Sequence, residues 1–327
     1  MSKSKRKVCV AIFSRANYGS IRTVLEKLKK SKKITLQILT GASANIKKYG
    51  LISEEIKKDK FKIDEEIFFQ VEGNTPLTMV KTTALGMIET ATALKRLEPD
   101  IVLTVGDRHE TLSTVVAAAY MNIPVAHTMG GEVSGTIDES VRHAITKFAH
   151  IHFPANNNAK NNIIKMGEDK KNVFNVGCPR IDLVKSCLKR KIKNINKLVF
   201  NGQEGVGDKF NLEEDFITIM HYPVTTEFGQ NYSHMTETLK AISKINLPKL
   251  IFWPNSDAGS EEISTAIREY REKKLIRNAW FVKNLNHEIF FHILKMTKCL
   301  IGNTSAAIRE GSFIGVPSVS IGSRQNG

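Results

Sequence analysis

Short apolar runs rich in β-branched residues recur along the chain, and between them apolar residues return every three or four positions. The first half carries VCVAIF (8–13), ITLQILTG (34–41), DIVLTVG (100–106), IPVAHTM (123–129), HIHFP (150–154) and VFNVG (173–177). The second carries FITIMHYPV (216–224), KLIFWPNSD (249–257), AWFVKN (279–284), KCLIGN (298–303) and PSVSIG (317–322). Apolar runs bounded by turn residues and alternating with segments of helical spacing predict βαβ units and mainly parallel sheets. Near Lys189 the rhythm breaks into KRKIKNINKLVFNGQEGVGDKFNLEED, charged and weakly periodic, as expected of a linker or a domain-edge excursion. The expected organisation is α/β, with doubly wound Rossmann-type domains at 1–188 and 215–327 and the segment 189–214 between them.

Length agrees, since 327 residues exceed one typical domain of about 100–200. The four cysteines, Cys9, Cys178, Cys187 and Cys299, are scattered without a CxxC pair, so neither a zinc knuckle nor a disulfide framework is indicated, and a reducing cytoplasm fits. The apolar run Val8 to Phe13 is too short for a signal core or a membrane span, so a soluble protein is expected. Lys and Arg outnumber Asp and Glu by 48 to 33, a net charge of +15. The lysines are spread along the chain with no finger, RNP-like run or Arg–aromatic interleaving. Such charge reads as general surface charge, and as a field that attracts a small anionic substrate, rather than as a nucleic-acid footprint.

In open parallel sheets ligands bind at the carboxyl ends of the strands, so the residues after each run deserve the closest reading. They are Ser14-Arg15-Ala16-Asn17 after the first run, Asp107-Arg108-His109-Glu110 after DIVLTVG, and Gly130-Gly131-Glu132 after IPVAHTM. In the second half they are His221, Asn255 with Asp257, and Gly302-Asn303-Thr304-Ser305. That last turn opens a helix whose free N–H groups suit a phosphate, although Thr304 or Ser305 could equally serve only as an N-cap. Neither GxGxxG nor GxxxxGK[ST] is present. His150 with His152 and His287 with His292 lack a third ligand nearby, and HExxH is absent, so no metal site is expected.

The stretch GGEVSGTIDESVRHAITKFAH (130–150) crowds Glu132, Asp138, Glu139, Arg142 and His143 into a few turns. Thr136-x-x-Glu139 has the form of a capping box, with Asp138–Arg142 and Glu139–His143 as i,i+4 pairs contributing roughly 0.2–0.5 kcal/mol each. That reading leaves Gly130, Gly131 and Glu132 unexplained.

This block, with VGDRHETLSTVV before it and HYPVTTE, PNSDAGS, GNTSAAIREGSFIGVP and SRQNG after it, resembles the hydrolysing UDP-N-acetylglucosamine 2-epimerases of sialic and legionaminic acid synthesis. The resemblance covers essentially the whole chain in order. It implies a GT-B-like fold with a nucleotide-sugar in the cleft between two Rossmann-type domains. The implied reaction is loss of UDP from C1 with removal of the C2 proton, then hydration of the 2-acetamidoglycal. By resemblance Asp107, Glu132 and Asp138 are acid–base candidates, faced by His221 from the second domain. Arg15 and Arg108 would contact the nucleotide and diphosphate, Thr304 and Ser305 the phosphates, Glu310 the ribose, Arg324 the nucleotide and Asn255 the sugar. Arg142 and His143 would orient the carboxylates. The resemblance implies a homo-oligomer, and a fold that continues past Gly327 into a helix crossing back onto the first domain; with no redox or metal motif in the chain, no cofactor is expected. One departure is Met129, where some relatives carry a proton-transferring Glu. A glycosyltransferase of the same fold and a non-catalytic nucleotide-sugar binder are the rival readings.

Overall fold

Two parallel sheets, each wound in the same order, dominate the chain. The computed structural model describes residues 5–202 and 205–327. Its strands are β1 (Arg6–Ile12), β2 (Ile34–Thr40), β3 (Glu65–Glu66), β4 (Ile101–Val105), β5 (Val125–Thr128), β6 (Ile151–Phe153), β7 (Gly205–Gly207), β8 (Ile217–Met220), β9 (Lys249–Phe252), β10 (Ala279–Val282), β11 (Cys299–Gly302) and β12 (Ser318–Ser320). The first sheet runs β3-β2-β1-β4-β5-β6 and the second β12-β11-β8-β9-β10-β7. Every pairing is parallel except β7 on β10. Counted outward from its central strand, each sheet reverses direction once, between β1 and β4 and between β8 and β11. These are the switch points at which doubly wound folds bind ligands.

The helices are α1 (Arg15–Lys30), α2 (Ile52–Lys58), α3 (Pro76–Leu97), α4 (His109–Tyr120), α5 (Ile137–Phe148), α6 (Asn157–Lys165), α7 (Pro179–Leu188), α8 (Ile195–Phe200), α9 (Asn231–Ser243), α10 (Ser260–Glu272), α11 (His287–Met296) and α12 (Ser312–Ile314). The chain divides into two units, one comprising residues up to Gly73 and Leu77–Leu183, the other Asn74–Pro76 and Val184–Gly327.

Each unit buries its sheet on the pattern the sequence carries. In β1 the alternate residues Cys9 and Ala11 join a core with Leu94 of α3, Val115 of α4 and Ile145 of α5, whereas Val8, Val10 and Ile12 join Tyr18, Ile21 and Leu25 of α1. A strand packed by helices on both faces must be apolar at every position, which is why the run is continuous rather than alternating. In the second unit Ile217, Ile219 and Ile251 pack against Met235 and Leu239 of α9 and Ile263 and Ile267 of α10.

VFNVG (173–177), expected as a strand, is not one: Val173 makes an isolated parallel bridge to His152 and the rest of the segment is irregular. The described part of 189–214 belongs to the second unit and forms α8 and the edge strand β7. Gly205 lies against the Trp280 indole, where a Cβ would stand 2.4 Å from Nε1, so the edge is glycine because the partner ring leaves no room.

Candidate functional site

In the first unit, three strand ends at and beside the switch point carry the candidate residues. After β1, Ser14 caps α1 by accepting from the Asn17 amide at 3.2 Å. The buried Asn17 side chain donates to Val105 O at 3.0 Å and accepts from Phe13 N at 3.2 Å, which ties the ends of β1 and β4 together. Arg15 is partly buried in the first turn of α1. After β4, Arg108 grips Glu110 through both Nε and Nη2 at 3.0 Å. Glu110 is fully buried, and although burial alone would raise its pKa, the charges of Arg108 and His109 and the Arg108 hydrogen bonds hold it below the ordinary carboxylate value.

After β5 comes the turn that the sequence left unexplained. Gly131 sits at φ +79°, and a Cβ there would lie 2.2 Å from Ala159 O. Its own carbonyl accepts from Asn162 Nδ2 of α6 at 2.9 Å. Gly130 would drive a Cβ to within 2.7 Å of His127 Nδ1 and 2.9 Å of Thr146 Oγ1. The paired glycine thus allows the chain to reverse against α5 and α6 and present Glu132.

Helix α5 differs from the capping box that its sequence suggests. Thr136 is the N-cap, but its hydroxyl accepts from Asp138 N at 3.3 Å. The Glu139 carboxylate reaches past Thr136 to the Ser134 amide, at 2.7 Å. Arg142 turns inward rather than along the helix: it is 4% exposed, and its Nη2 forms an ion pair with Asp107 while Nη1 donates to Glu132 O at 2.7 Å. One buried guanidinium therefore joins the ends of β4 and β5 to the helix that carries Asp138. His143 buries Nε2 without a hydrogen-bond partner among the described residues. Asp107, Glu132 and Asp138 are each partly buried.

In the second unit, His221 follows β8 and is 3% exposed. Its Nδ1 lies 3.0 Å from Thr238 Oγ1, and that hydroxyl donates to His234 O at 3.1 Å. A hydroxyl already donating to a carbonyl accepts from the imidazole, so Nδ1 carries the proton and Nε2 keeps its lone pair. Burial, with the positive charges of His234 and Arg324, pushes His221 down to about 4. The ring lines a cavity of about 430 Å³ together with Glu227, His234, Glu237, Thr238 and Asn303.

Asn303, after β11, exchanges two 2.7 Å hydrogen bonds with the Tyr222 backbone, 81 residues away, and so locks the end of β11 to the end of β8. Thr304 is buried and caps the following helical turn through Ala306 N at 3.2 Å, while Ser305 is exposed beside it. The helix from 305 to 314 contains a π-helical stretch, Ala307–Gly311, that bears the buried Glu310. Such bulges re-aim side chains and recur at functional sites. After β9, Asn255 donates to the buried Asp257, which also lies 3.8 Å from Arg324. Arg324 lies over the Tyr222 ring at 5.6 Å and donates to Asn303 O at 3.4 Å.

Asn17, Glu110 and Asn303 stand in the strand-end stretches marked from the sequence but are given no role there, and His127 is passed over inside its strand run. The signal for His127 was a histidine inside an apolar strand, where a buried polar group needs partners. For Glu110 it was a carboxylate two residues from Arg108 at a helix start.

Two Rossmann-ordered units, each with polar residues gathered at its switch point, define a two-domain α/β protein of the GT-B-like class. The chain belongs to the UDP-N-acetylglucosamine 2-epimerase family, which it matches over residues 26–327, and is an enzyme of that kind. It is 33% identical over 321 residues to the UDP-N,N'-diacetylbacillosamine 2-epimerase (hydrolyzing) of Legionella pneumophila, covering 98% of this chain and 82% of that protein. It is 29% identical over 326 residues to the GDP/UDP-N,N'-diacetylbacillosamine 2-epimerase (hydrolyzing) of Campylobacter jejuni, covering 99% and 82%. Its fold is similar to that of the UDP-GlcNAc 2-epimerase of Neisseria meningitidis, with a TM-score of 0.80 at 17% identity over 98% of this chain and 83% of that one.

Proposed function

We propose that the protein is a hydrolysing 2-epimerase, converting a UDP-2-acetamido-gluco sugar into the free manno epimer and UDP. The substrate class is UDP-N-acetylglucosamine or its 4-acetamido-6-deoxy analogue, in a pathway of the sialic or legionaminic acid type. The observation that carries this reading is the Arg142 network, in which one buried cation fixes Asp107 and the Glu132 backbone beside the helix start bearing Asp138. The names of the Legionella and Campylobacter relatives support the hydrolysing form and the nucleotide-sugar substrate.

The reaction requires a carboxylate to take the C2 proton as the C1–O bond to UDP breaks, leaving a C1=C2 glycal. Water then adds its oxygen to C1, and a proton returns to C2 on the other face. Asp107, Glu132 and Asp138 are the proposed proton carriers, with His221 as a further one through Nε2. Arg15, Arg108, Thr304 and Ser305 are assigned to the diphosphate, Glu310 to the ribose, Arg324 to the nucleotide and Asn255 to the sugar. His143, whose buried Nε2 lacks a partner among the described residues, is assigned with Arg142 to orienting the carboxylates. The sequence is redox-neutral, so no oxidant or cofactor enters.

Turnover in D2O tests the reading. The expected products, without an acceptor sugar, are UDP and a free manno sugar with deuterium at C2, seen by NMR. Unlabelled gluco sugar would indicate a simple hydrolase, and no turnover until an acceptor is added would indicate a glycosyltransferase.

A cytoplasmic setting is proposed from Cys9, Cys178, Cys187 and Cys299, none of which is in a disulfide. Among the described residues no helix is long and apolar enough to cross a membrane. A homo-oligomer is proposed from α3, whose Leu77, Val80 and Ile88 are each more than 60% exposed on one side of the helix. Sedimentation of a Val80→Glu/Ile88→Glu variant checks it, dissociation being expected.

A further inference from the structure

The geometry points to His127 as a positioning residue: its imidazole joins the peptide that leads into Asp107 to the helix that carries Arg142, and so sets the angle of that carboxylate. The inference rests on the proposed role of Asp107 in the C2 proton chemistry.

His127 lies in the middle of β5, in register with Thr104 of β4 and His152 of β6, and is fully buried. For packing alone this position would favour an aliphatic residue, because an imidazole buried in a sheet must have its polar atoms satisfied. Both ring nitrogens are engaged. Nε2 lies 2.8 Å from Gly106 O, and a carbonyl can only accept, so Nε2 carries the proton. Nδ1 then faces the Thr146 hydroxyl at 3.3 Å as an acceptor. That hydroxyl also lies 3.0 Å from Arg142 O, so its single proton goes to one of the two acceptors at a time.

The partners give the contact its direction. Gly106 holds φ +75°, with Asp107 the next residue, so a hydrogen bond on the Gly106 carbonyl fixes the peptide plane from which Asp107 departs. Thr146 stands one turn beyond Arg142 on α5, and Arg142 forms the ion pair with Asp107. The imidazole therefore reaches both members of that pair, Asp107 through the Gly106 carbonyl before it and Arg142 through the Thr146 hydroxyl one turn beyond it. The turn is cut to fit the ring, since a Cβ on Gly130 would stand 2.7 Å from Nδ1. Burial pushes His127 down to about 4, so the ring is neutral at working pH and serves as a fixed donor rather than a proton carrier.

The test compares steady-state turnover of a UDP-2-acetamido-gluco sugar by Asp107→Asn, His127→Phe, His127→Gln, Thr146→Val and the His127→Phe/Asp107→Asn double variant, with folding followed by circular dichroism. Asp107→Asn is expected to lose about 100-fold or more in kcat. His127→Phe, which fills the space without the donor, should lose about 10- to 100-fold in kcat with KM within a factor of about three. His127→Gln, whose amide restores a donor near the Nε2 position, should recover part of the loss. The double variant should be no worse than Asp107→Asn alone. In the wild type, imidazole 15N NMR should report neutral His127 protonated on Nε2. An active Asp107→Asn would overturn the underlying reading. An inactive Asp107→Asn beside a folded His127→Phe of normal kcat would overturn only the positioning role. Where His127→Phe does not fold, Thr146→Val decides: a kcat several-fold lower supports the proposal, and an unchanged one overturns it.

Discussion

Arg108 shows how a partner changes what a mutation reports. As a candidate diphosphate ligand it invites replacement by Ala and a UDP titration. Its guanidinium, however, also holds Glu110, a fully buried carboxylate kept ionised by that fork. Removing one member of a buried pair leaves the other uncompensated, at a cost of about 3–5 kcal/mol. Arg108→Ala alone is therefore expected to lower the melting temperature as well as UDP affinity. Arg108→Ala/Glu110→Gln removes the stranded charge, should recover most of the stability, and isolates the binding term. Calorimetric titration of the double variant is expected to show UDP affinity about 10-fold or more below that of Glu110→Gln. Equal affinities would remove Arg108 from the diphosphate site.

At the scale of elements, backbone geometry discriminates between two glycines of similar conformation. Gly106 and Gly131 both lie in the left-handed region, but a Cβ on Gly106 would meet nothing within 4 Å, whereas on Gly131 it would stand 2.2 Å from Ala159 O. Gly106→Ala should cost about 1–2 kcal/mol from conformation alone. Gly131→Ala adds a collision with the α6 backbone and should cost about 2–5 kcal/mol, with turnover falling because the turn also presents Glu132. Urea unfolding of the two variants measures the difference, and equal costs would contradict the packing of that turn. The elements themselves were legible in the sequence wherever burial on both faces left a continuous apolar run. β3 and β7, written Glu65-Glu66 and Gly205-Val206-Gly207, escaped because edge strands this short carry no apolar period. VFNVG misled for the converse reason, being apolar without a continuous ladder to join. The strand-end placement of the candidate residues could be read because the topology sends such positions there. The pairing of Arg142 with Asp107, 35 residues away, and of Asn303 with Tyr222, 81 away, could not, since a one-dimensional pattern holds no record of contacts across a fold.

For the whole molecule, each unit buries a histidine that the fold holds neutral, His127 on β5 and His221 after β8, and this links stability to pH. His127 and His221 both fall from 6.5 to about 4 on burial. In the unfolded chain each would take a proton near pH 6.5, while the folded protein refuses it until about 4. As pH falls through that window the unfolded state binds more protons than the native one, so stability is full above about 6.5 and is lost progressively down to about 4. The shifts correspond to at most about 3 kcal/mol for each imidazole, a large share of the roughly 5–15 kcal/mol that holds a typical domain. Glu110 acts next in the same direction: its lowered pKa stabilises the fold above the ordinary carboxylate range and is lost as pH falls through the folded value. Because the two histidines lie in different units, replacing one should protect only its own. Urea midpoints at pH 7.5 and 4.5, followed by tryptophan fluorescence, report on the second unit, where Trp253 and Trp280 both lie. That midpoint is expected to fall sharply in the wild type, to fall less in His221→Asn, and to fall as in the wild type in His127→Gln. A wild-type midpoint equal at the two pH values would show that His221 is not held neutral by the fold.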